Sequence, residues 1–264
     1  MAGKRLEFFA GGNTPQGFYS YYDYIANQQT IRQFICIKGG PGTGKSTLMK
    51  QAAAYFAENT DVEIFHCSSD PGSLDGVAVP SLGFAVVDGT SPHVVDPKIP
   101  GAIGDIFHAG LFWKADKIKQ HKSEIVRFTN QISSGYERAY FNLSLIGKAE
   151  ERLQLLDQRC RKAGILNQIF RNMTADLCGV GQELVSEPPK PRKLFLSAIT
   201  PSGIVDYSNN MMEQSGDVFV IKSKRKSAGA ALMAKLDTYL RERGIHTTLF
   251  YSPLFPETQI EHVY

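Results

Sequence analysis

The chain has 264 residues, 42% of them hydrophobic and 21% charged, with a formal net charge of +3. This is the balance of a globular protein with a buried core, too apolar for a disordered chain and too weakly basic to argue for nucleic acid. The apolar run in residues 1–10 is broken by Glu7, unlike a signal peptide, and no run approaches the roughly 18 apolar residues of a membrane span.

Four cysteines, Cys36, Cys67, Cys160 and Cys178, form no C-x-x-C pair and read as free thiols of a reduced, cytoplasmic protein. Residues 31–38, β-branched and aromatic, predict a strand. A glycine-rich stretch comes next, and then a helix from Lys45 or Ser46 through Ala57, with Leu48, Met49, Ala52, Ala53 and Phe56 on one face. Val62–Cys67 reads as a second strand. Gly83–Val87 reads as a third, apolar on both faces as a central parallel strand should be. Strand, helix and strands in this order predict an α/β sheet with crossover helices.

From 101 to 186 the period changes. Ile118, Ile125, Ile132, Ala139, Ile146, Leu153 and Cys160 recur every seven residues, which predicts long amphipathic helix, with a possible hairpin at Ser133-Ser134-Gly135. This is expected to be an insertion packed on the sheet. Residues 187–191, with three prolines, form a stiff linker. The chain beyond this linker echoes its own beginning. Thr14-Pro15-Gln16-Gly17 returns as Thr200-Pro201-Ser202-Gly203, Ile37-Lys38 as Ile221-Lys222, Leu48-Met49 as Leu232-Met233, and Phe65 and Pro71 as Phe250 and Pro256, at offsets of 184 to 186. The expected organisation is therefore a core over 1–100, a helical insertion over 101–187 and a degenerate, incomplete repeat over 188–264.

Residues 39–46 read Gly-Gly-Pro-Gly-Thr-Gly-Lys-Ser, the G-x-x-x-x-G-K-[ST] pattern, between a buried strand and an amphipathic helix. Glycines let successive backbone N–H groups point inward at phosphate oxygens, and the helix N-terminus favours an anion. Gly39, Gly40, Pro41, Gly42, Thr43, Gly44, Lys45, Ser46 and Thr47 are thus the expected nucleotide contacts, with Lys45 on the terminal phosphates and Ser46 on Mg²⁺. The metal also needs a strand-end carboxylate. Asp88, ending the apolar run 84–87, is preferred over Asp70. Asp70 and Asp75 are read as ordering the loop 68–76, though either could position a nucleophile. His93 is a candidate catalytic group beyond Asp88. His66 and Cys67, adjacent on a strand, point to opposite faces and make a poor metal pair. Lys222, Lys224, Arg225 and Lys226 form a basic cluster that is either a solvated loop or a second anion site. In the second copy Gly229 and Ala230 stand where Lys45 and Ser46 stand in the first. Gly89 rather than an acid follows Asp88, which leans toward nucleotide kinases, GTPases or a slow hydrolase, and no Asn-Lys-x-Asp guanine reader is present.

The segments 13–18, 37–50, 66–76, 87–98 and 195–203 resemble those of a family of tandem P-loop ATPases from Gram-positive, largely anaerobic or spore-forming bacteria. The resemblance spans essentially the whole chain. It implies an α/β fold, a P-loop NTPase three-layer sandwich with a parallel sheet, a helical insertion and a degenerate second P-loop-like repeat. It implies ATP and Mg²⁺ as ligands, and it carries over Lys45, Ser46 and the loop glycines directly. Asp70, Asp75, Asp88, His93 and Asp96 fall in family-like segments without assigned roles. The expected activity is slow ATP hydrolysis. One alternative is phosphoryl transfer to a nucleotide or small molecule, with the helical segment as acceptor site or lid bearing an arginine from among Arg127, Arg138, Arg152, Arg159, Arg161 and Arg171. The other is nucleotide-gated recruitment of a protein partner without turnover. Neither nucleic acid nor membrane is an expected partner.

Overall fold

The computed structural model describes residues 2–27, 30–91, 94–160, 163–176, 184–224 and 226–264, with the backbone alone at 160 and 176. His93, Arg161, Cys178 and Arg225 lie outside the described residues. In chain order the elements are β1 (Arg5–Phe9), β2 (Gly11–Thr14), β3 (Gly17–Ser20), β4 (Gln33–Lys38), α1 (Lys45–Ala57), β5 (Val62–His66), β6 (Leu74–Val79), β7 (Phe84–Asp88) and β8 (Gly104–His108). Then come α2 (Ala115–Gln120), α3 (Lys122–Cys160), α4 (Ala163–Asp176), β9 (Arg192–Leu194), β10 (Ser197–Thr200), β11 (Gly203–Asp206), α5 (Ser208–Gln214), α6 (Lys226–Arg241), β12 (Thr248–Ser252) and β13 (Phe255–Val263).

The main sheet has six strands in the order β1-β5-β6-β7-β4-β8. β4 is parallel to both β7 and β8, and β1 is parallel to β5. The expected all-parallel sheet is corrected: β6 runs antiparallel to β5 and β7, so the sheet is mixed. The cause is connection length. The turn after β5 closes with Cys67 N donating to Ser73 O and Ser73 N to Asp70 O. β6 then turns into β7 through a single 3₁₀ turn at Pro80–Leu82. Such links suffice for hairpins but not for crossovers. The loop expected over 68–76 accordingly ends at Leu74, and Asp75 lies on a strand, buried.

α1 buries Met49, Ala53 and Ala57 against the sheet, while Leu48, expected inward, is exposed. Residues 101–112, expected to be helical, instead supply β8 and a 3₁₀ turn at Ala109–Phe112. The hairpin expected at Ser133-Ser134-Gly135 is absent: α3 runs unbroken for 39 residues, about 58 Å of helix. Its length lets it touch both halves of the chain. Tyr140 Oη donates to Asn13 Oδ1 at 2.9 Å, and Gln154 Nε2 to Gln259 Oε1 at 2.9 Å.

The second half repeats the strand pairings of the first. β9 is parallel to β12 and β12 antiparallel to β13, as β1 is to β5 and β5 to β6. The hairpin β10–β11 matches β2–β3, down to Thr14 Oγ1 and Thr200 Oγ1 each donating to the oxygen of a following glycine at 2.7 Å. Those glycines, Gly17 and Gly203, have φ of 103° and 104°. The halves meet through a reciprocal pair: Phe9 N donates to Phe195 O at 2.9 Å, and Phe195 N to Phe9 O at 3.0 Å. One core gathers Phe8, Phe34, Phe65, Leu194, Leu196 and Phe250 from both. Arg192 crosses as well, forming a two-pronged ion pair with Glu63 at 2.6 and 2.7 Å. Among the described residues, no strand corresponding to β4 occurs between α5 and α6.

Candidate functional site

β4 ends at Lys38 and α1 begins at Lys45, so residues 39–44 turn the chain from strand to helix within one tight loop. Gly42 and Gly44 take φ of 77° and 83°, the left-handed region that a side chain disfavours. The Lys45 ammonium folds over this loop, donating to Gly39 O at 2.6 Å and Gly40 O at 3.0 Å. Thr43 Oγ1 donates to Gly40 O at 2.9 Å and Thr90 Oγ1 to Gly39 O at 2.8 Å, which pins the loop from both sides.

The pairing of β7 with β4 places Asp88 opposite Ile37. Asp88 Oδ1 accepts from Thr90 N at 2.8 Å, and Oδ2 lies 3.5 Å from Lys45 Nζ. Gly89 is required beside it, because a Cβ there would fall 2.2 Å from Cys36 Sγ. Ser46 Oγ accepts from Leu74 N at 3.0 Å, tying the start of α1 to the start of β6. Lys45, Ser46 and Asp88 all face one cleft of about 1000 Å³.

The cleft has a second wall that the motif did not foretell. α3 contributes Ile132, Ser133, Tyr136, Glu137 and Tyr140. The rings of Tyr136 and Tyr140 stack with centroids 5.9 Å apart. Buried Asn13, which receives the Tyr140 hydroxyl, also donates to Ile199 O at 2.8 Å and to Ser68 O at 3.3 Å. A single side chain thus joins the helix, the second half and the loop beneath the cleft. No spacing rule in sequence connects residues 13, 68, 140 and 199; of this wall, helical period marks Ile132 alone.

The floor carries Asp70, Cys67 and Asp75. Ser73 Oγ donates to Asp70 Oδ2 at 2.6 Å. Asp75 hydrogen-bonds Tyr22 and Cys67. Burial, reinforced by the Asp75 carboxylate, pushes the Cys67 thiol up to about 12 and the Tyr22 hydroxyl well above its usual range. Cys67 is therefore a protonated donor, not a nucleophile. His66 points away, stacked on Tyr207 with Nδ1 3.1 Å from Pro71 O, and its burial lowers its pKa. Asp96 pairs with Lys38 at 2.8 Å, outside the cleft.

No family model, curated protein or solved structure matches this chain.

Other expected groups are not at the cleft. Arg127, Arg138, Arg152 and Arg159 do not line it, and Lys226 pairs with Glu261 at 2.9 Å. Among the described residues, no three His, Cys, Asp or Glu side chains gather to hold a metal. A magnesium ion on a triphosphate needs less, since phosphate oxygens and water fill most of its octahedron. One hydroxyl (Ser46) and one carboxylate (Asp88) beside the loop at 39–44 fit that requirement.

Proposed function

We propose that the chain is a P-loop nucleoside triphosphatase that binds Mg·ATP in this cleft and cleaves the terminal phosphoanhydride slowly. The observation that carries the reading is the meeting of Lys45, Ser46 and Asp88 around a loop held in left-handed turns at Gly42 and Gly44. The α1 N-terminus and the loop amides attract the phosphates. Lys45, whose ammonium lies over the loop within reach of Gly39 O and Gly40 O, would contact phosphate oxygens there and neutralise charge that builds on the leaving group. Ser46 and Asp88 hold the metal, with Thr90 N fixing the carboxylate's orientation. When bound, Mg²⁺ supplies Lewis-acid polarisation of the terminal phosphate. β7, bearing the acid, lies directly beside β4, and Gly89 follows Asp88 where a water-polarising acid would be needed for fast hydrolysis. This supports slow turnover.

The reading extends to the repeat: 188–264 is a degenerate copy of the P-loop unit in a cytoplasmic protein. The matched strand pairings and the reciprocal Phe9–Phe195 bonds support common descent of the halves. Gly229 and Ala230, in place of a lysine and a serine, leave the copy without triphosphate chemistry.

The test is titration calorimetry of the whole chain with Mg·ATP, beside Lys45→Ala. The wild type should bind, release phosphate slowly and require Mg²⁺. Lys45→Ala should weaken binding by about 30-fold or more, as removal of a charge-assisted contact worth about 2 kcal/mol implies. Absence of heat with the wild type at millimolar ligand, or equal affinity in the variant, would overturn the assignment.

A further inference from the structure

The cleft extends past the P-loop, toward the region between β6 and α3, and the chemistry of that extension restricts what can enter. Its described lining holds four carboxylates, Asp70, Asp75, Asp88 and Glu137, and a single cation, Lys45. That cation is committed to the P-loop carbonyls and to Asp88. The remaining polar side chains are hydroxyls, among them Ser69, Ser133 and Tyr136, and the Cys67 thiol. An anionic co-substrate here would meet Asp70, Asp75 and Glu137 together with the terminal phosphate, with no second cation among the described lining residues. A neutral or positively charged one meets acceptors, hydroxyls and two aromatic faces, surroundings that favour hydroxyl groups and ammonium alike.

Resting on the nucleotide reading above, we propose that this extension is an acceptor chamber for a small hydroxyl-bearing molecule that is neutral or cationic, and that it rejects phosphorylated acceptors such as nucleoside monophosphates. Asp75 is placed to serve it. It lies on β6 one residue beyond the Gly76–Val87 pair, as Asp88 does on β7, so the two acids stand opposite one another, and both line the cleft. The Tyr22 hydroxyl and Cys67 thiol hydrogen-bond Asp75 from within the protein. The acceptor oxygen attacks the γ-phosphorus of ATP. Its proton passes to Asp75, the bond from γ-phosphorus to the bridging oxygen breaks, and the electron pair leaves on ADP. Tyr140, latched to Asn13, holds the helix that forms the chamber's outer wall.

The test fills the P-loop of the whole chain with a non-hydrolysable Mg·ATP analogue and adds three pairs of probes that differ by one phosphate. These are adenosine and AMP, glucosamine and its 6-phosphate, and ethanolamine and phosphoethanolamine, with binding read by ligand-observed NMR. The unphosphorylated members should bind at least tenfold tighter than their partners. Replacing Asp70 and Glu137 together by lysine, at accessible positions that do not endanger the fold, should narrow or reverse that preference. Equal or tighter binding of the phosphorylated members, an unaltered preference in the double variant, or no binding by any of the six overturns the chamber while leaving the nucleotide reading standing. Failure of the analogue itself to bind, seen before any probe is added, brings down both.

Discussion

At the scale of single residues, His66, stacked on Tyr207 away from the cleft, offers a test of burial beside β5. Desolvation lowers its pKa in the folded chain, as it does for His262. The unfolded chain then binds more protons than the folded one once the pH drops below the ordinary histidine value of about 6.5. Stability is therefore complete above that value and is lost as the pH falls toward the lowered folded pKa. The urea midpoint should decrease between pH 7.5 and 5.5, and His66→Gln should flatten that decrease. An equally steep decrease in the variant would show that His66 does not contribute. Other residues differ in how far sequence exposes them. Lys45 and Ser46 emerge from a spacing pattern, and Asp88 from an apolar run that ends in an acid. Asp75 reads as a loop residue because Pro71 and Gly72 precede it, and nothing in the spacing of Asn13 and Tyr140 reveals that they touch.

At the scale of elements, β4, α1, β5 and β7 are legible because hydrophobic pattern and glycine punctuation agree there. β6 is not: its sequence, Leu-Asp-Gly-Val-Ala-Val, carries an acid and a glycine in its first half that argue against a strand, and only its place between β5 and β7 makes it one. β8 is hidden because its residues are mostly exposed and lack alternation. α3 shows the opposite error. Two serines and a glycine look like a break, yet a mid-helix glycine costs only about 1 kcal/mol relative to alanine, which favourable residues on either side can offset. Gly135 has open space where its Cβ would stand. Gly135→Ala should therefore stabilise the protein by about 0.5–1 kcal/mol, read as a rise in melting temperature. A hairpin at this point would give the reverse, since a side chain would burden the turn.

For the whole molecule, the recurrence of strand pairings is visible in sequence as a thin set of identities at offsets of 184 to 186. What sequence does not convey is how fully the halves share their interior. Leu194, fully buried, sits in one cluster with Phe8, Phe65 and Phe250. The Glu63–Arg192 pair joins the start of β5 to β9, where an ion pair stripped of one partner would be costly. The stiff segment at 187–191 is thus a boundary in composition but not in packing. Unfolding should then be common to both halves. The chain's single tryptophan, Trp113, reports on the loop at 39–44, where a Cβ at Gly40 would lie 2.8 Å from its ring. Leu194→Ala removes a buried side chain of the second half at a cost of about 3 kcal/mol. If the halves unfold together, the Trp113 fluorescence midpoint in urea should fall with the circular-dichroism midpoint by the same amount. If Trp113 kept its wild-type midpoint while the circular-dichroism signal split into two steps, the halves would be independent.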